Sequence, residues 1–387
     1  MMPGQPLSDE QLQQTLDALQ QNKGNKAATA KALGIARSSL HHRLERAAAR
    51  GLGGAAPIKI PPGQVVKGMS TLVDRNGQIA AQWIKTKEDG FSLPDILSAV
   101  QEAIGDQRST APAAPSSAQA DRDLLNVFPW PDLHLGMFAW GDETGQDYDL
   151  RIAEDLVRNT FAELLERSAP AHHAIILGLG DITHADDETA STRRSGNRLD
   201  VDNRHQKVLA ATIRLLIWAI EQALAKFPKV TVRLLKGNHD EQTAAALSVA
   251  LSVFYQDHPR VTVDDSPSLW WFYRHDQTLL GATHGHTCKA ETMPGVMASE
   301  RSAHWGATAF RYILHGHLHH RRVIETMGVP VECFQTIAPK DAYHAGAGYV
   351  SGRSMMGISY HAKHGEWARW QVNLPSRSEL KTKGKAA

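Results

Sequence analysis

The chain has 387 residues, with 42 Lys plus Arg against 41 Asp plus Glu, which excludes a globally polybasic protein though not a locally basic one. Apolar residues make up 42% of it, ample for a sizeable core and, by length, for two or three domains; two cysteines exclude a disulfide framework and a thiolate metal site. Histidine is in excess at 20, roughly twice average usage, and only His41 and His42 precede residue 134, so a site of imidazole and carboxylate is expected in the last two-thirds.

The first unit expected is residues 1–50. Ser8 followed by Gln11 makes a capping box, and Leu12, Leu16 and Leu19 recur at helical spacing. Lys23-Gly24-Asn25 breaks that helix, and Asn25 caps a second one, Lys26 to Leu33. Gly34 supplies the turn, and a third helix runs from Arg37 to Ala49. Two short helices joined through a glycine turn are a helix-turn-helix pattern. The stretch from Asn25 to Leu44 resembles the DNA-binding module of the Fis family, of bacterial or phage type. The resemblance implies that the third helix enters the major groove. Arg37, Ser38, Ser39, His41, His42 and Arg43 would then reach bases or phosphates, with Lys26, Lys31 and Arg46 neutralising phosphates. Seven basic residues against four acidic ones make this unit locally basic. A single such helix reads few bases, so a homodimer is expected. The alternative is a three-helix module for protein contact.

Residues 51–64 are a Gly/Pro linker. A small module is expected over 65–104: strands Ser70–Val73 and Gln78–Lys85 around an Asn76-Gly77 hairpin turn, then a helix from Ser92 to Ile104. Residues 105–120 are a Pro/Ala/Ser tether and 377–387 a basic tail. No charged-then-apolar leader opens the chain. The apolar-rich stretch Leu215–Ile220 is too short to span a bilayer, so a cytoplasmic protein off the membrane is expected.

Residues 121–376 alternate apolar runs with helical patterns, which argues for an α/β domain. Five polar clusters follow such runs. Asp132-Leu-His134 follows Leu124–Trp130, and Gly180-Asp181 follows Ala174–Leu179. Gly237-Asn238-His239-Asp240 follows Val230–Leu235, His284-Gly-His286 follows Thr278–Thr283, and Gly316-His317-Leu-His319 follows Tyr312–His315. Open α/β sheets place ligands at the carboxyl ends of their strands. Residues two apart in an extended segment point the same way, so Asp132 with His134, and His317 with His319, are expected to converge.

The order D-x-H, G-D, G-N-H-D, H, G-H-x-H resembles that of the calcineurin-like metallophosphoesterase superfamily, over Asp132 to His319. The resemblance implies a four-layer α-β-β-α sandwich and two divalent metal ions. Asp132, His134 and His319 would hold the first ion, Asn238, His284 and His317 the second, and Asp181 would bridge them. Imidazole and carboxylate without thiolate suit Mn, Fe or Zn, with Mn favoured by the family. A metal-bridging hydroxide would attack phosphorus. His239 would be the acid for the leaving oxygen, with Asp240 counted beside it among the catalytic residues. His184, three residues after Asp181, is similar in placement to the histidine of SbcD-type repair nucleases and would pair with His239. The substrate implied is a phosphodiester, above all in DNA. The alternatives are a small-molecule phosphodiesterase or phosphatase, and a DNA-binding regulator with a sensory domain.

Arg193 and Arg194, in a basic run over 191–207, and Arg321, in one over 301–322, are candidate phosphate contacts. Trp270, Trp271 and Trp305 are candidates for base stacking, with core packing as the competing role. His286, His315 and His320 are read as supports for ligands, and His172 and His173 as solvated. His344, His361 and His364 receive no role.

Overall fold

The computed structural model describes residues 8–49, 64–73, 79–88, 120–192 and 195–375. The expected linker 51–64 except Gln64, the Asn76-Gly77 turn, the helix Ser92–Ile104, the tether up to residue 119, Arg193, Arg194 and the tail 377–387 lie outside the described residues, as does the side chain of Ser38. The chain divides into two compact units, Met1–Asp89 and Gly90–Ala387. The boundary falls inside the expected 65–104 module.

In the first unit, α1 (Asp9–Gln21), α2 (Lys26–Ala32) and α3 (Arg37–Ala49) form as the capping chemistry dictates. Ser8 and Gln11 make the reciprocal capping box, and the Asn25 carboxamide accepts from the Ala27 and Ala28 amides. Gly34 takes φ 63°, the left-handed turn that glycine enters without steric cost. Leu12, Thr15, Ala30, Leu40 and Ala47 are buried among the three helices. Strands β1 (Gln64–Val73) and β2 (Ile79–Glu88) pair antiparallel, longer than expected on both sides of the turn.

The second unit carries two sheets. The six-stranded sheet has the order β13-β12-β3-β4-β5-β6, and the five-stranded sheet β10-β11-β9-β8-β7. The ranges of the first sheet are β3 Asp121–Trp130, β4 Ala171–Gly178, β5 Lys229–Leu234, β6 Val261–Asp264, β12 Arg353–His361 and β13 Gly365–Leu374. Those of the second are β7 Trp270–His275, β8 Thr278–Thr283, β9 Phe310–His315, β10 Arg322–Thr326 and β11 Val329–Cys333. Strands β3 to β6 run parallel, as do β8, β9 and β11.

Alternation along the strands sorts side chains into three apolar layers. Phe128, Trp130, Ile176, Val230 and Val232 face helices α5 (Leu150–Arg167), α6 (His205–Lys226) and α7 (Glu241–Phe254), contributing to one cluster with Phe161, Leu216, Ile220 and Leu247. Leu125, Val127, Ile175 and Leu177 turn the other way and meet Leu280, Ala282, Leu314 and Ile358 between the sheets. Leu279, Ile313 and Val331 face outward to Met293 and Met297, which lie on α8 (Met293–Glu300). Helix, sheet, sheet, helix is therefore the layering, as expected.

Two expectations change. Helix α6, with mean hydropathy 1.6, is long and apolar enough to cross a membrane by length and composition. The short stretch Leu215–Ile220 was therefore too narrow a reading, although 67% of the apolar window is buried within the protein. His173 is also not solvated. Burial on β4 leaves it 8% exposed, between Thr231 Oγ1 at 2.8 Å and the Tyr273 hydroxyl at 3.2 Å.

Candidate metal centre

All five clusters follow the carboxyl ends of strands: β3, β4 and β5 in one sheet, β8 and β9 in the other. Backbone bonds then stitch the loops together. The Asp132 amide donates to the Gly180 carbonyl, His134 to Asp181, Leu135 to Ile182, and Gly316 to His284. The convergence of Asp132 with His134, and of His317 with His319, does not come from strand alternation. Asp132 (φ 49°), His134 (48°), Asp181 (52°), His317 (75°) and His319 (57°) are all left-handed. Each such residue costs of the order of 1–3 kcal/mol and persists only where its surroundings over-determine it. Two glycines permit the close approach. A Cβ on Gly237 would lie 1.9 Å from Asp181 Oδ1, and one on Gly316 would lie 2.4 Å from Asp132 Oδ2.

Among the described residues three groups of potential donors result; one, His134, His184 and His239, is all imidazole, and the other two each include a carboxylate. In the first of these two, Asp132, His134 and His319 each offer a ligand atom within 4.8 Å of the others. His134 Nε2 lies 3.1 Å from His319 Nε2, which lies 3.4 Å from Asp132 Oδ1. In the second, Asp181, His284 and His317 do the same. His284 Nε2 lies 3.1 Å from Asp181 Oδ2 and 3.1 Å from Asn238 Oδ1, which brings Asn238 into this set. The His284 Nδ1–H donates to the Leu179 carbonyl at 2.8 Å, so Nε2 faces the set. Asp132 and Asp181 are fully buried.

The electrostatics suit a cation. Burial opposes charge on His284, yet the Asp181 carboxylate outweighs it and lifts the imidazole to about 10. Burial likewise opposes ionisation of Asp181, but His284 holds that carboxyl well below its ordinary range. A divalent ion bound between this imidazole and carboxylate would displace the imidazole proton. The donors are nitrogen and oxygen. Cys333 Sγ instead donates to the Gly316 carbonyl at 3.1 Å, so no thiolate competes. The residues fit divalent metal ions.

His239 is half-buried beside the first set, its ring 4.8 Å from that of His134. Its Nδ1–H donates to the His184 carbonyl at 2.8 Å, which leaves Nε2 for chemistry. His184 meets His239 by ring stacking at 5.3 Å, with no side-chain hydrogen bond between them. Its side-chain bond goes to His134 instead, Nδ1 to Nδ1 at 3.0 Å. Burial pushes His184 down to about 3, so it is neutral there. The expected His184–His239 pair is thus joined through a carbonyl and a stacked face.

The buried Asp240 carboxylate accepts from the amides of Ile182 at 2.7 Å, Gly237 at 2.9 Å, Asp181 at 3.1 Å and Thr183 at 3.4 Å. It clamps the loop after β4 to the loop after β5. Arg321 is also spent elsewhere, as its Nε–H donates to Glu332 at 3.1 Å. Trp271 is buried between the sheets. Trp270, stacked on Phe272, and Trp305 of α9 (Ser302–Gly306), under the Arg311 guanidinium, are partly buried and pack on the outer core cluster. His315 is buried and donates to the Gly316 carbonyl, His286 packs beside His284 and His317, and His320 is exposed. In the first unit, Arg37, Ser39, His41 and His42 are exposed on α3 and Arg43 is half-buried.

Sequence reasoning missed His344. It stacks on His319 at 5.1 Å and 22°, held by Asp341 Oδ1 at 2.6 Å from its Nδ1. No spacing motif joins it to the five clusters, because the contact is made only in the folded chain.

Residues 12–50 match the family model described as the PucR C-terminal helix-turn-helix domain. No curated relative matches the chain. Among solved structures the chain is similar to an archaeal phosphodiesterase, at 12% identity and TM-score 0.30 over 65% of this chain and 99% of that one. It is similar to Vps29 with zinc from Entamoeba histolytica, at 10% identity and TM-score 0.25 over 64% and 98%. It is also similar to a 5'-nucleotidase precursor from Thermus thermophilus, at 9% and TM-score 0.29 over 68% and 58%. The chain thus carries a helix-turn-helix, matched by that model over residues 12–50, and an α-β-β-α sandwich with His and Asp side chains at its strand ends that could hold metal ions.

Proposed function

We propose that this protein hydrolyses phosphodiester bonds with two divalent metal ions, that the substrate is nucleic acid, and that the helix-turn-helix holds duplex DNA. The observation that carries the reading is the pair of buried donor sets, Asp132/His134/His319 and Asp181/His284/His317. Asp132, His134 and His319 would hold the first ion, and Asn238, His284 and His317 the second, with Asp181 as a ligand available to both. Such ions supply positive charge toward a phosphoryl group and acidify a water for attack near neutral pH.

The chain's own residues do the rest. Asn238 is neutral, which keeps the donor set low in negative charge and leaves the site attractive to phosphate. His239, pinned at Nδ1, presents Nε2 to protonate the leaving oxygen. His184 fixes the ring of His134 through Nδ1. On α3, Arg37, Ser38, Ser39, His41, His42 and Arg43 supply the contacts to bases and phosphates, and a homodimer would read enough of them for specificity. Mn is the ion favoured and the cytoplasm the compartment.

The test is hydrolysis with Mn of a phosphodiester dye, a monoester dye, and single- and double-stranded DNA. Wild type cleaves the diester dye and DNA. Asp181→Ala abolishes turnover, and His239→Ala loses about 10²-fold or more. Monoester hydrolysis with DNA untouched overturns the nucleic-acid reading. A His239→Ala protein as fast as wild type removes the proposed acid.

A further inference from the structure

Large aromatic side chains exposed to water cluster where the first donor set opens. Helix α10 (Ala342–Gly346) carries Tyr343, 70% exposed, and Tyr349 follows it at 58%. Between them in space lies His344, whose ring contacts Tyr343 at 5.5 Å and Tyr349 at 5.7 Å, both edge-on. On its other side His344 stacks on the ligand-set residue His319. A run of rings therefore leads from the metal centre to solvent.

The run is built to stay in place. The Asp341 carboxylate accepts from both the backbone amide and the Nδ1–H of His344, and the Tyr349 amide donates to the His344 carbonyl at 3.0 Å. Helix α4 (Gly141–Thr144) packs against α10, and the segment before it exposes Trp140 and Phe138. Exposed aromatic area is costly in water unless a partner covers it, and tyrosine suits a surface wet at one end and apolar at the other.

We infer that Tyr343, His344 and Tyr349 form a stacking platform for unpaired bases of a nucleic-acid strand whose scissile phosphate lies at the metal centre. This rests on the phosphodiesterase reading above and narrows its substrate. Every base offers a π face, so such a platform takes any sequence. Bases inside a duplex are already stacked on one another, so the platform selects single strands and frayed ends. The occupant follows from continuity, because the rings begin at a candidate metal ligand and a base beside the reacting phosphate falls within their reach. Tyr343 and Tyr349 contact the base, and His344 is a positioning residue between them and His319.

The test measures affinity of the full chain, in chelator, for a labelled single-stranded oligothymidylate and for the same backbone made of abasic units. Wild type binds the base-bearing strand tighter by about tenfold per stacked base. Tyr343→Ala with Tyr349→Ala brings the ratio close to one, whereas Tyr343→Phe with Tyr349→Phe keeps it. Trp367→Ala removes an exposed aromatic at the opposite end of the sheet and also keeps it. A wild-type ratio of one, or a ratio that survives the double alanine change, overturns the inference; a second copy or a peptide covering the platform gives that result. Cleavage assays with Mn separate the two claims. Strands bound through the platform but never cut defeat the nuclease reading alone. Strands cut with a binding ratio of one defeat the platform alone.

Discussion

Five of the residues that ring the metal centre hold left-handed backbone, and Asp132 shows why that is tolerable. Its carboxylate accepts twice from the His317 amide, and its own amide donates to Gly180, so neighbouring loops fix a conformation the residue alone disfavours. His173 makes a different statement. Burial pushes it down to about 3, against about 6.5 in an unfolded chain. Between those values the unfolded chain takes up a proton that the folded one refuses. Folding is therefore weakened as pH falls through that window, by about 1.4 kcal/mol per pH unit from this group. Urea unfolding of wild type and His173→Gln from pH 7 to pH 4 checks this; the variant's acid limb is expected to be flatter by about that slope.

At the scale of elements, loops and caps decide more than strands do. Asp240, last residue of the third cluster, ties the loop after β4 to the loop after β5 through four amides. Asp240→Ala leaves those amides without a partner and costs of the order of 3 kcal/mol or more. It also loosens Asp181 and Asn238, so a drop of about tenfold or more in metal affinity accompanies the fall in thermal midpoint, both read by titrating Mn against the folded variant. In the first unit, α2 has only seven residues and relies on its cap. Asn25→Ala is expected to cost about 1 kcal/mol, seen as a lower denaturant midpoint of the helix-turn-helix. Both caps were legible because they are local. Ser8 with Gln11, and Asn25 before an alanine run, need only the next turn of chain. The partners of Asp240 were not legible, since three of the four lie about sixty residues away.

For the whole molecule, the proposed function links metal to folding. Ions held at the strand ends of both sheets would bind only the folded second unit, so Mn or Zn at about a hundred times its Kd is expected to add about 2.7 kcal/mol to that unit's stability. Calorimetry is expected to show one transition that moves up with metal and returns with chelator. A metal-independent second transition belongs to residues 8–49. Binding of the full chain to duplex DNA is expected to weaken steeply with salt, as phosphate contacts require, and a gel shift unaffected by salt counts against α3 as the contact.

The order of the five clusters, their glycines and their places after apolar runs were determined by the sequence alone. They are runs of adjacent residues, and strand ends are short-range events. The helix-turn-helix was equally plain, from caps and one glycine. What the tertiary structure decided is everything that depends on residues far apart meeting. His184 turned to His134, Asp240 turned to backbone amides and Arg321 turned to Glu332. Trp271 went into the core, with Trp270 and Trp305 packed at its edge, while Tyr343, His344 and Tyr349 lined up beside His319. Burial and pairing are properties of surfaces brought together from distant segments, so no spacing in the chain records them.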